Sequence, residues 1–324
     1  MGVDLLSVQP HKVSRDLSGY ITYIYGAPKT GKTTLATQMP RPILLAAEKG
    51  YRTLPGVMPQ DIKSWSEMRQ AFHQLKQPAV RERYDTIVVD TVDVLADMCT
   101  KYICNNNDID SLAELPYGKG WILFKDEFNE VFRGLTQLDY AIVWLGHEKE
   151  VTIGEEPNQS IYIRPNLTSS IRTLIEGMAD ITGYAHQKKG NKMSVLTLRS
   201  RDDSVSCGSR FKYLPDEIEM SYENLTTALT EAIDKEAQEH DNKYVTDEKA
   251  LVTNSEHEID FDALYNEIQD LLGKLLEQNQ SNAPKMTYII EKYLGKGKKV
   301  TECTRNQIEQ MELIAMEFRE MLNK

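Results

Sequence analysis

The octapeptide Gly26, Ala27, Pro28, Lys29, Thr30, Gly31, Lys32, Thr33 has the spacing G-x-x-x-x-G-K-[ST]. Gly26 and Gly31 let the backbone curl until successive N–H groups point at one phosphate. Lys32 supplies an ammonium for β- and γ-phosphate oxygens. The Thr33 hydroxyl offers a hard oxygen to Mg²⁺, which keeps several of its waters, and Thr34 follows directly. The pattern also arises by chance, so its surroundings decide. Before it stands YITYIY (20–25), a β-branched and aromatic run suited to a buried strand. After it stands KTTLATQM, which reads as a helix fed by the loop and ended by Pro40 and Pro42. A strand, a glycine turn and a helix are the context this motif needs to bind a nucleoside triphosphate with Mg²⁺. No NKxD stretch near a strand end offers to read guanine, which favours ATP.

Three further residues extend that chemistry. Asp90 ends the apolar run Thr86–Val89, where a carboxylate would hold the magnesium; the alternative is an N-cap for the helix beginning at Val92. Glu48 follows the strand after the loop's helix, in LLAAEKGY, and would orient or deprotonate an attacking water unless it is an exposed loop residue. His147 follows YAIVWLG and would contact the γ-phosphate or the water, or else serve as a structural histidine. Asp93 reads as surface or first-turn helix charge.

Strands must bring these ends together. Residues 42–47, 84–90 and 140–145 are further apolar strands, and Asp61–Trp65 is a minor edge strand. Helices are expected over Ser66–Lys76 with Ser66 as N-cap, over Val92–Ile103, over Trp121–Leu138 and over Thr168–Glu176. Residues 105–120 read as a loop, and 151–163 as a hairpin around Gly154–Asn158. Ala179–His186 and Met193–Arg199, joined by a turn at Lys188–Asn191, should form an antiparallel pair at one sheet edge. The alternation of strands and helices predicts an α/β fold, a mainly parallel sheet flanked by helices.

Beyond about residue 222 the composition shifts. Residues 231–262 are strongly acidic, and 260–322 carry helical stripes, Leu264, Ile268, Leu271, Leu272, Leu275 and Ile308, Met311, Ile314, Phe318, Met321. The expected domains are an N-terminal segment 1–19, an ATPase domain 20–225, an acidic helix or linker 226–259, and a small all-α module 260–324. Net charge is −11, which argues against a wholly basic polyanion-binding surface but leaves room for a local one. No apolar run reaches about 18 residues, the N-terminus lacks a secretory layout, and the four cysteines show no zinc spacing. A cytoplasmic protein with reduced thiols and no membrane partner is therefore expected.

The succession of P-loop, strand with Glu48, helix, strand with Asp90 and strand with His147 resembles the RecA-like ATPases. The stretches YIYGAPKTGKTTLA, LLAAEKGYRTL, YDTIVVDTVDVL, PYGKGW, AIVWLGHEKE and SRFKYLP are similar, more closely, to the phage RecA-like ATPases of the Sak type, single-strand annealing or recombination proteins reduced to the RecA core. The similarity spans about residues 20–225 and leaves the C-terminal helices outside. It implies a RecA-like core, with Glu48 as catalytic glutamate, Asp90 as the Walker B carboxylate and His147 as a sensor where RecA proper has glutamine. It also implies self-association, with a basic residue of a neighbouring subunit approaching the γ-phosphate; Arg199, Arg201, Arg210 and Lys212 are the possible fingers. The implied partner is single-stranded DNA, met by residues 148–170 with Lys149, Tyr162 and Arg164, by loop 105–120 beside Lys119 and Trp121, or by Lys296, Lys298 and Lys299. A protein partner for the C-terminal helices is a further expectation. Two other readings stay open: a small-molecule kinase, and a nucleotide-gated assembly module with incidental turnover.

Overall fold

The β-branched and aromatic runs become strands. In chain order they are β1 (Val13–Ser14), β2 (Ile21–Gly26), β3 (Pro42–Ala46), β4 (Pro59–Asp61), β5 (Thr86–Asp90), β6 (Ala141–Ile153), β7 (Ser160–Pro165), β8 (Ile181–His186), β9 (Val195–Thr197), β10 (Gly208–Ser209), β11 (Glu217–Glu219) and β12 (Val245–Thr246). The helices are α1 (Lys32–Ala36), α2 (Trp65–Leu75), α3 (Pro78–Arg83), α4 (Val92–Asn106), α5 (Lys119–Thr136), α6 (Ser169–Met178), α7 (Tyr222–Gln238), α8 (Phe261–Gln278), α9 (Ala283–Leu294) and α10 (Ile308–Leu322). This computed structural model describes residue 6 and residues 8–154, 159–188, 190, 193–200, 204–249 and 260–322. The chain divides into two units, Met1–Asn254 and Ser255–Lys324.

The main sheet of the first unit has the order β11-β9-β8-β2-β6-β5-β3-β4. From β8 to β4 every neighbouring pair is parallel; β9 joins β8, and β11 joins β9, antiparallel. The strand carrying Gly26 therefore lies between β8 and β6, and β5 lies between β6 and β3. This is the expected α/β architecture, a mainly parallel sheet with helices on both faces.

Side chains alternate across a strand with period two, so each central strand feeds two cores. Tyr23, Tyr25, Ile87, Val89, Ile142 and Trp144 pack on one face with the apolar stripes of α2, α4, α5 and α6, including Trp65, Phe72, Leu95, Phe128 and Ile171. Ile24, Val88, Val143 and Leu145 turn to the other face and meet Leu35 of α1 and Leu225, Leu229 and Ile233 of α7. Parallel strands buried on both sides explain the unbroken apolar runs.

Several local expectations change. The edge strand is β4 rather than 61–65, and α2 begins at Trp65 because Ser64, not Ser66, caps it: the Ser64 hydroxyl accepts from the Glu67 amide. Trp65 belongs to the buried stripe, so a helix starting after Ser66 would lose its first anchor. Within 105–120, α4 runs to Asn106, two 3₁₀ turns follow, and Gly118 in left-handed backbone (φ 71°) launches α5. The acidic stretch after 225 is not all linker. α7 buries Leu225, Ala228, Leu229, Ala232 and Ile233 and turns its acids outward. β12 then pairs in parallel with β1, so residues 13–14 of the N-terminal segment are also tied into the first unit. The hairpin forms between β6 and β7, while residues 155–158 of its turn lie outside the described residues.

The second unit is all-α. Leu264, Ile268, Leu271 and Leu275 of α8 close on Met286 and Ile289 of α9 and on Met311, Ile314 and Phe318 of α10. Among the described residues, no helix is long and apolar enough to cross a membrane.

Candidate functional site

β2 delivers the glycine-rich loop at the end of the sheet where β5 and β6 also finish their parallel run. Gly26 is pressed against β8: a Cβ there would stand 2.1 Å from the Ala185 carbonyl oxygen. Gly31 takes φ 91° at the start of α1, a conformation that favours glycine. α1 closes after Ala36, shorter than the run through Met39 suggests, so its dipole is that of little more than one turn. Attraction for an anion must come chiefly from the loop N–H groups and from Lys32. The Lys32 ammonium, 7% exposed, donates to the carbonyls of Gly26 and Ala27 at 2.8 Å each. Burial lowers its pKa against the pull of Asp90 and Asp93.

Asp90, at the C-terminal end of β5, accepts from the Thr33 hydroxyl at 2.8 Å. Burial raises its pKa, with Glu48 adding to the rise and Thr33 and Lys32 opposing it. Its backbone carbonyl accepts from the amides of Ala47 (2.7 Å) and Glu48 (3.3 Å), which fastens the end of β3 beside the end of β5. That is how Glu48 comes to face the loop. The parallel register of β2 with β6 sets His147 opposite Gly26. β6 does not stop there but continues to Ile153, so His147 lies within a strand rather than after one.

Asp93 is first-turn helix charge, one of the two readings of the sequence, but it is not on the surface. It is 7% exposed, in the first turn of α4 beneath β6. Its carboxylate accepts from the His147 amide at 3.1 Å and from the ring Nδ1 at 2.7 Å. An ionised carboxylate only accepts, so Nδ1 carries the proton and Nε2 is turned toward Glu48, at 3.6 Å. The hydrogen bond to Asp93 raises the His147 pKa. Burial alone would raise that of Asp93, but the ring's hydrogen bond and charge hold it below the usual range. The available signal was the spacing of Asp90 and Asp93, which sets the second carboxylate in the first turn of α4, just past the end of β5.

Lys32, Thr33, Thr34, Glu48, Asp90 and His147 line one cavity of about 370 Å³ with Pro28, Lys29 and Gly31. Thr91 also lines it, and its buried hydroxyl has no hydrogen-bond partner. A basic loop, hard oxygen donors on Thr33 and Asp90 and an orphaned buried hydroxyl fit a polyphosphate with a magnesium ion. Arg199, Arg210 and Lys212 are not brought here. They gather toward the edge where β2 and β8 begin: Arg210 donates to the Gly177 carbonyl, Arg199 to that of Lys212, and Lys212 to Glu239. Arg201 lies outside the described residues.

A family model described as an AAA domain matches residues 18–210. The SPbeta prophage-derived uncharacterized protein YorG of Bacillus subtilis (strain 168) is 29% identical over 332 residues, a match covering 99% of each chain. Among solved structures, a KaiC-like protein of Pyrococcus horikoshii OT3 shares 11% identity over 56% of this chain and 79% of its own, with a TM-score of 0.33. The flagellar accessory protein FlaH of Methanocaldococcus jannaschii shares 12% over 59% and 83%, with a TM-score of 0.32.

Proposed function

From the premise that this chain belongs to the AAA-domain family and so carries a P-loop ATPase domain, we propose that it hydrolyses ATP in response to single-stranded DNA, in phage-type recombination or annealing. The observation that carries hydrolysis is the Glu48 carboxylate, aimed into the loop cavity and backed by the His147–Asp93 pair. Gly26 to Thr34 would cradle the phosphates, and Thr33 with Asp90 would hold Mg²⁺. Bound Mg²⁺ neutralises charge developing on the phosphate oxygens. Glu48 orients the attacking water and takes its proton. His147, steered by Asp93, hydrogen-bonds near the same water or the terminal phosphate and reports its presence to β6. Arg199, Arg201, Arg210 or Lys212 would serve only across a subunit interface, which makes self-association part of the reading.

Single-stranded DNA as effector is supported by the prophage origin of the similar Bacillus protein and by the hairpin that prolongs β6 directly beyond His147. Steady-state ATP turnover by the wild type should rise on adding single-stranded DNA at low salt. Glu48→Gln should lose about 10²–10⁴-fold in rate yet still bind ATP. Turnover that ignores DNA and survives the substitution would overturn the assignment.

A further inference from the structure

We propose that the second unit carries a single-stranded nucleic-acid surface formed by α9 and the loop Gly295–Lys299, with Lys296, Lys298 and Lys299 on phosphates and Tyr288 stacking on a base. It deepens the reading above by naming where the DNA is held.

Charge in this unit is segregated by element. α8 carries four acids and one base, and α10 likewise four and one. Residues 283–307 instead carry six bases, Lys285, Lys292, Lys296, Lys298, Lys299 and Arg305, against Glu291 and Glu302. A segment of net charge +4 inside a chain of −11 is a local polyanion site rather than the average surface. Of the other cations on the three helices, Lys274 pairs with Asp270, Lys292 with Glu317, and Arg319 with Glu267 and Glu312, while Lys285 is exposed. Among the described residues, no ion pair engages Lys296, Lys298 or Lys299, and all three are exposed.

The loop has a defined shape. Gly295 (φ 99°) and Gly297 (φ 75°) take left-handed backbone, the Lys298 amide donates to the Gly295 carbonyl, and Glu291 accepts from the Gly297 amide. That bond ties Glu291, which also lines the groove below, to the loop backbone. Lys298 and Lys299 thereby rim a groove of about 340 Å³ with an apolar floor of Leu272, Ile290 and Val300. On the adjoining strip of α9, Tyr288 is 69% exposed, one turn from Lys285. Cations for a backbone, with an apolar groove and an aromatic for bases, are what sequence-tolerant single-strand binding requires. An acidic peptide would use the lysines and leave Tyr288 without a task.

The test uses the full chain and a fluorescent 30-mer of deoxythymidine, with affinity followed by anisotropy across a salt series. Lys296→Ala/Lys298→Ala/Lys299→Ala should weaken binding at least about tenfold and reduce the salt slope by about 2, at roughly 0.7 per phosphate contact. Tyr288→Ala should weaken binding about tenfold with the slope unchanged. DNA-free ATP turnover should match the wild type in both variants. If the wild type binds the oligonucleotide and the triple variant keeps its affinity and slope, this surface is wrong while DNA as effector stands. Loss of binding in Tyr162→Ala/Arg164→Ala alone would likewise move the site to the β6–β7 hairpin. A wild type that binds no oligonucleotide even at low salt would end both proposals.

Discussion

Asp93 accepts two hydrogen bonds from His147, and its replacement separates orientation from charge. In Asp93→Asn the ring loses the partner that fixes its proton on Nδ1, so Nε2 no longer addresses Glu48. Turnover should fall about 10²-fold while ATP binding persists, the cost of a misplaced group. The same substitution has a pH signature. His147 is held above its ordinary 6.5, so its protonated form stabilises the fold fully below pH 6.5, and that contribution is lost as pH rises through the elevated value. Asp93, held below 3.8, contributes above that pH and loses its contribution on acidification through the lowered value. The stability gap between wild type and Asp93→Asn, from denaturant titrations, should therefore be widest in the mildly acidic range and narrow in alkali. A gap independent of pH would show that the pair is not ionised as described.

α7 is the element whose role most differs from its composition. Its acids suggest a solvated helix or linker, yet at helical spacing they leave a continuous stripe of Leu225, Ala228, Leu229, Ala232 and Ile233 for the sheet. Leu229→Ala should destabilise the first unit by about 2–5 kcal/mol, read as a shifted denaturant midpoint. At α2 the cap is worth less: Ser64→Ala should cost about 1 kcal/mol and Ser66→Ala far less, since only Ser64 meets the Glu67 amide. β6 matters differently. One strand holds His147 at the loop and then forms the hairpin with β7.

At the scale of the whole molecule the boundary falls near residue 254, not 225. A fragment ending at 254 should unfold cooperatively and bind ATP. One ending at 225 should be unstable or aggregate, because it uncovers the face of the sheet that α7 protects. Calorimetry of the two fragments checks this. A stable, ATP-binding 1–225 fragment would return α7 to the linker.

The glycine spacing, Lys32, Thr33 and the strand-end positions of Glu48 and Asp90 are local signals, and so is the alternation of strands and helices. The chain by itself determined the P-loop, the α/β class and the helical C-terminal stripes, because each depends on neighbours a few residues apart. Tertiary structure decided which ends converge. Strand order set β6 between β2 and β5, register set His147 beside Gly26, and only then could a buried first-turn aspartate find the ring. The burial of Asp93 and of one face of α7 escapes the sequence for one physical reason. A charged residue, or a charged helix, is classed by its polar atoms until a long-range contact shows what its other side covers.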